Sequence, residues 1–132
     1  MLNLEEVKRR SDKLSHDIVG AAIEVHRELG PGLLESAYEA ALSYELDLRN
    51  ISYVRQQHLP VVYKNVNLKC NYRIDLLVED LVVIELKAVE RIEPLFEAQL
   101  ITYLRLTRRW LGMLLNFNVP VMKEGIKRIV NG

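Results

Sequence analysis

Apolar residues recur at helical spacing through the first third of the chain and change to strand-like runs in the middle. Ile18, Ala22, Val25 and Leu29 fall on one face of a helix, which predicts an element from an N-cap at Ser15 to Leu29. Gly30-Pro31-Gly32 ends it, since glycine tolerates left-handed dihedrals and proline cannot continue the hydrogen-bond ladder. A second helix is predicted from about Leu34 to Arg49, with a stripe of Leu34, Tyr38, Ala41, Leu42 and Leu46 broken only by Glu45. Tyr53–Gln57, Leu59–Tyr63, Leu68–Glu79 and Leu81–Val89 then read as antiparallel strands, with the first two either separate or one strand bent at Pro60. Leu81-Val82-Val83-Ile84 is apolar at every position, so both faces of that strand are covered and it belongs in the middle of a sheet.

A third helix opens at Glu93-Pro94, where proline suits the first helical position, and runs to about Thr107. Trp110–Phe117 is a buried strand, and Gly125–Val130 a short strand or helix. The order of elements predicts a mixed sheet with helices packed against it, an α/β or α+β sandwich. With 132 residues, no repeat and no linker composition, one domain over residues 1–132 is expected.

Three polar groups interrupt this apolar middle. Asp75 lies in Tyr72-Arg73-Ile74-Asp75-Leu76, and Glu85 and Lys87 lie in Ile84-Glu85-Leu86-Lys87. Strand side chains alternate, so Glu85 and Lys87 project to one side and Ile84 and Leu86 to the other. Whether Asp75 joins them depends on the turn. A three-residue loop, Glu79-Asp80-Leu81, sets Asp75 opposite Glu85, whereas a two-residue loop pairs it with Ile84 and separates the carboxylates across the sheet. In the first register the two Cβ atoms stand about 5 Å apart. Like charges that close raise each other's pKa unless a cation neutralises them, and magnesium is a hard cation suited to carboxylate oxygens. With a lysine alongside, that is apparatus for phosphodiester hydrolysis. The plain alternative is an exposed strand end carrying a Glu–Lys pair.

Composition narrows the partners. Eighteen basic and 18 acidic residues leave the chain formally neutral, so nucleic acid would be held by a local patch and not by bulk charge. Lys8-Arg9-Arg10, Arg105 with Arg108-Arg109, and Lys123 with Lys127-Arg128 are the basic clusters, and Arg105 and Arg108 flank the site if the third helix packs beside the Glu85 strand. A single cysteine, Cys70, excludes an internal disulfide and a four-cysteine metal site. No signal peptide or membrane span is apparent, and a cytoplasmic location is expected. Gln99, between Leu95 and Tyr103 on the third helix, puts an amide on or beside an apolar stripe. Glu35 opens the second helix, where it also suits the positive end of the helix dipole. His26 reads as a helix-end histidine.

The chain resembles the GxxExxY proteins of the PD-(D/E)XK nuclease superfamily. Gly32-Leu33-Leu34-Glu35-Ser36-Ala37-Tyr38 carries that signature. The likeness extends over roughly residues 15–130, through Gly20–His26, Leu29–Gly32, Arg73–Val78, Glu85–Val89, Glu97–Leu100 and Leu115–Pro120. It implies a core of helix, three-stranded antiparallel meander, helix and strand, here with an extra N-terminal helix. It also implies that Asp75 and Glu85 bind Mg2+ or Mn2+ with the Leu86 carbonyl, that Lys87 acts on the water or the transition-state charge, and that Glu35 and Gln99 support them. The implied activity is hydrolysis of phosphodiester bonds, with DNA as the expected substrate. The rival is a nuclease fold that binds without cutting, and a homodimer would double either surface. The chain departs from the family at Phe96, where histidine is common.

Overall fold

A computed structural model describes residues 2–132. Two helices, α1 (Leu4–Leu29) and α2 (Glu35–Leu48), precede the sheet. The first is longer than the sequence predicts. Its N-cap is Asn3, whose side chain accepts the Glu6 N–H at 2.8 Å, and Ser15 is an interior residue. Ser15 is buried and its hydroxyl donates to the Asp12 carbonyl at 2.7 Å, a bond a serine makes within a helix as readily as at its start. Ser11 and Leu14 extend the buried stripe of Ile18, Ala21, Ala22 and Val25 one more turn toward the N-terminus.

Gly30 ends α1 at φ 67°, with its N–H on the His26 carbonyl, and Gly32 follows at φ 102°. Both lie in the left-handed region that glycine enters without a Cβ penalty. Tyr38 locks the resulting loop. Fully buried, its hydroxyl donates to the Gly30 carbonyl at 2.6 Å and accepts the Leu33 N–H at 3.1 Å, while its ring stacks on Phe117 at 4.5 Å. His26 makes a second tie, its Nε2 sitting 2.8 Å from the Val119 carbonyl as the donor. Tyr38, the last residue of the Gly32–Tyr38 signature, therefore fixes where α2 begins, and His26 ties the end of α1 to the segment after β6.

The sheet has the order β1-β4-β5-β6-β7, formed by Tyr53–Leu59, Tyr72–Val78, Val82–Lys87, Leu111–Asn116 and Ile126–Val130. The first three strands are an antiparallel meander, and β5 and β6 run parallel through α3 (Pro94–Thr107). β5 lies in the centre with its residues buried up to Leu86, as its unbroken apolar run requires. α1 and α2 cover one face, over Leu76, Val78, Ile84 and Leu86. α3 covers the other, over Leu77, Val83 and Leu114. The strand bounds differ from those the sequence predicts: Tyr53–Gln57 extends to Leu59, Leu59–Tyr63 is not one strand, and Leu68–Glu79 and Leu81–Val89 shorten to β4 and β5. β1 stops at Leu59 because Pro60 cannot donate to a ladder, and Val62–Tyr63 (β2) pairs with Val66–Asn67 (β3) in a separate hairpin. Leu68–Asn71 leaves the strand conformation, with Lys69 at φ 56°.

No helix among the described residues is long and apolar enough to cross a membrane. Removing the Tyr38 hydroxyl breaks two part-buried bonds and leaves the Gly30 carbonyl and the Leu33 N–H without this partner, but keeps the ring stacked. Tyr38→Phe is expected to cost about 1–2 kcal/mol in urea unfolding, and an unchanged midpoint would show that the loop lock is not needed.

Candidate active site

The β4–β5 turn decides the register. Leu81 N–H bonds the Val78 carbonyl at 2.9 Å, Glu79 and Asp80 both have positive φ, and Val78 lies opposite Val82. This is the odd loop that brings Asp75 and Glu85 together. Yet the ladder stops one step short of them: pairing runs Val78↔Val82, Leu77↔Val83, Leu76↔Ile84 and no further. On the other side of β4, Arg55↔Leu76 and Gln57↔Ile74 put Gln56 opposite Asp75, but Gln56 has φ 51° and does not pair. Ile74, which strict alternation would put with Leu76 and Val78, packs in the α3-side cluster instead. The strand turns at Asp75.

Backbone groups freed by this break are taken up by the two carboxylates. Glu85 accepts the Asp75 N–H at 2.9 Å, and Asp75 accepts the Leu86 N–H at 2.8 Å. Lys87 gives its carbonyl to Phe117 N–H across the parallel ladder, so Leu86, one residue back, turns its peptide groups toward β4 and the acids. The Leu86 carbonyl thus faces the side on which a third oxygen ligand is expected.

The field here is strongly unfavourable to a second negative charge. Glu85 is 6% exposed, and burial first, then the Asp75 carboxylate, push its pKa up to about 8. Lys87 opposes that shift and Glu35 adds to it. Burial also raises the Asp75 pKa, against the pull of the Leu86 N–H and the Gln56 amide. Glu35 itself lies exposed at the start of α2 and acts on Glu85 through charge alone.

Three residues enter the site that the sequence does not assign to it. Gln56 donates to Glu39 at 2.6 Å and to Asp75 at 3.3 Å, so one amide joins two acids. Glu39 is buried on α2 and also takes Arg55 at 3.0 Å. Its signal was available: Leu42 and Leu46 follow it at three and seven positions, the spacing of the buried face. Gln56 gave none, because its role needs a positive φ that glutamine rarely adopts. Tyr103 of α3 is a third addition, its hydroxyl pKa raised by burial and by the charges of Glu85, Tyr72 and Asp75.

Gln99 has no hydrogen bond to either carboxylate among the described residues; it lines a groove beside Tyr103. Lys87 lies with its ammonium 4.4 Å above the Phe96 ring. Arg105 and Arg108 do not flank the acids. They line a groove with Leu4, Val7 and Trp110 instead, and Phe96, near the start of α3, is the residue that meets Lys87.

The donor set fits a hard divalent cation. Two carboxylates and a carbonyl offer only oxygen, and the excess negative charge is what such an ion offsets. No three His, Cys, Asp or Glu side chains among the described residues form a closed cage. A partial shell of this kind suits magnesium, which keeps several places for water and phosphate.

The raised Glu85 pKa has a consequence for stability. The folded protein keeps this proton up to about pH 8, whereas the unfolded chain releases it near 4.5. Between those values the native state binds more protons, so its stability falls as pH rises. The contribution is complete below pH 4.5 and lost as pH climbs through 8, by a few kcal/mol. Urea midpoints of metal-free protein at pH 5 and pH 8 are expected to show this decline, and Glu85→Gln to be flatter and more stable at pH 8. A parent whose midpoint does not move would count against the buried acid pair.

Comparison with known proteins places these features in a family. A model of the PD-(D/E)XK nuclease superfamily matches residues 12–129, which include every element from most of α1 through nearly all of β7. No match was found among curated proteins or solved structures. The matched span contains the helix–meander–helix–strand core and the break at Asp75 within it, and the chain belongs to the PD-(D/E)XK nuclease superfamily.

Proposed function

We propose that this chain is a divalent-metal-dependent nuclease of the GxxExxY type that hydrolyses phosphodiester bonds, with DNA as the principal substrate. The observation that carries the reading is the buried acid pair at the interrupted ladder, with Lys87 on the same face as Glu85. Two buried carboxylates this close disfavour each other's charge, and an uninterrupted ladder would satisfy the same backbone N–H groups without them, which is the mark of a site kept for function.

Each residue has a defined task. Asp75, Glu85 and the Leu86 carbonyl would hold Mg2+ or Mn2+. When bound, that ion supplies Lewis acidity toward a phosphodiester. Gln56, held by Glu39, keeps the Asp75 carboxylate oriented. Lys87 offers a positive charge to the developing phosphate charge, and Phe96 below it limits where the ammonium can go. Asn116 fixes the segment that follows Lys87. Its amide donates to the Val89 carbonyl at 2.9 Å and its oxygen accepts the Val89 N–H at 3.1 Å.

A second reading, a nuclease fold that binds without cutting, is favoured by one observation. Both carboxylates already accept backbone N–H groups, and the Lys87 ammonium rests on an aromatic ring. Metal titration separates the two, since a cation that binds only the folded state stabilises it by about 2.7 kcal/mol at a hundredfold excess over Kd. With Mg2+ or Mn2+ the parent is expected to rise in Tm and to cleave DNA. Asp75→Ala and Glu85→Ala are expected to lose both responses while keeping the parent's circular dichroism. Cleavage at the parent's rate by either variant would refute the assignment.

A further inference from the structure

The segment between β1 and β4 carries positive charge only. From Leu59 to Ile74 it has Lys64, Lys69 and Arg73 and no Asp or Glu, in a chain that is formally neutral as a whole. Among the described residues none of these three cations is paired with a carboxylate. The basic clusters elsewhere are largely neutralised: Arg9 and Arg10 by Glu6, Arg109 by Asp80, Lys127 by Glu97 and Arg128 by Asp12. Lys8, Arg105, Arg108 and Lys123 of those clusters also lack a carboxylate partner among the described residues, but the arm sets its open cations beside exposed tyrosines.

The arm also exposes what a protein of this size ordinarily buries. Tyr63 is 59% exposed and Tyr72 is 47% exposed, with Val62, Val66 and Leu68 open beside them. Its hairpin is closed by Lys64 and Asn65, both with positive φ, so the ribbon is fixed and holds Lys64 at its tip. At the base of the arm, Leu59, Val61 and Tyr72 form one wall of a groove of about 350 Å3. Gln99, Tyr103 and Leu106 of α3 form the other. No acid lines it, and the Gln99 amide has no internal partner among the described residues. Tyr72 meets Tyr103 edge to face at 6.4 Å, and Tyr103 feels the charges of Asp75 and Glu85. The groove opens about 10 Å along β4 from Asp75.

Unpaired cations, exposed aromatic faces and a free amide next to an acid pair have one ligand chemistry in common. Phosphates take the lysines, base faces take the tyrosines, and a base edge takes the amide. We propose that the arm and groove bind a single strand of nucleic acid, with an unpaired base in the groove and its phosphate delivered to Asp75 and Glu85. Duplex fits poorly, because stacked and paired bases offer no face to Tyr63 or Tyr72. This assignment rests on the phosphodiester reading of the same site and names the form of substrate it takes.

Binding measured in EDTA separates the two claims. By fluorescence anisotropy, a labelled DNA single strand is expected to bind tighter than the same sequence as duplex. Tyr63→Ala is expected to weaken the single strand about tenfold. Lys64→Ala with Lys69→Ala is expected to reduce the salt dependence of binding by about 1.4 in log–log slope. Equal affinity for both forms, or arm variants that bind like the parent, would overturn the proposal even where Asp75→Ala abolishes cleavage. Preserved arm-dependent binding with no metal-dependent cleavage would sustain it and sink the nuclease reading instead. Sedimentation is the last control: conversion of a dimer to a monomer by Tyr63→Ala would mean that the arm faces a second copy of this chain, against the proposal.

Discussion

The structure turns on an exchange of hydrogen bonds at Asp75. A β-ladder that ran on would satisfy the Asp75 and Leu86 amides with backbone carbonyls and leave no place for chemistry. Instead the ladder opens, and each acid takes an N–H near the other. Buried backbone donors must be paired, so the two carboxylates are held as firmly as the strands that carry them. The same bonds that fix them also favour their charged forms, against the burial that opposes charge. The result is an acid pair held rigidly in a field that favours a proton or a cation there.

Around this break the rest of the chain acts as a frame. Central β5 is gripped by antiparallel β4 and parallel β6, which leaves Glu85 little freedom. Gln56 reaches the acids because its backbone takes a left-handed turn in the middle of β1, a strained choice for glutamine that the Glu39 bond offsets. α2 is set in turn by Tyr38 and Phe117, so the last core strand and the second helix determine together where Glu39 stands. Local strain at the site is balanced by rigid packing outside it.

Much of this was legible in the residue pattern, for reasons of period and punctuation. The all-apolar run at Leu81–Ile84 required a central strand, and Glu93-Pro94 marked the start of α3 to the residue. The odd turn could be posed as a question but not answered, because Glu79 and Asp80 lack the glycine that advertises positive φ. Ser15 misled since serine caps helices and also bonds inside them. Gln56 and Tyr103 were beyond reach: one depends on backbone strain, and the other on how α3 lies across β4. Glu39 was within reach, since its spacing with Leu42 and Leu46 places it on the buried face of α2.

The parallel pairing of β5 with β6 has a bearing on the order in which the molecule comes together. β4 and β5 can meet through a short turn, but β5 gains its other neighbour only after the whole of α3 has been traversed. Contacts between residues so far apart in sequence close late and slowly compared with a hairpin. Asn116, at the end of β6, is what anchors the chain beyond Lys87. A nascent polypeptide therefore carries both acids and the lysine well before it can hold them still, and on the ribosome the acid site would take its final form only when the C-terminal third has emerged.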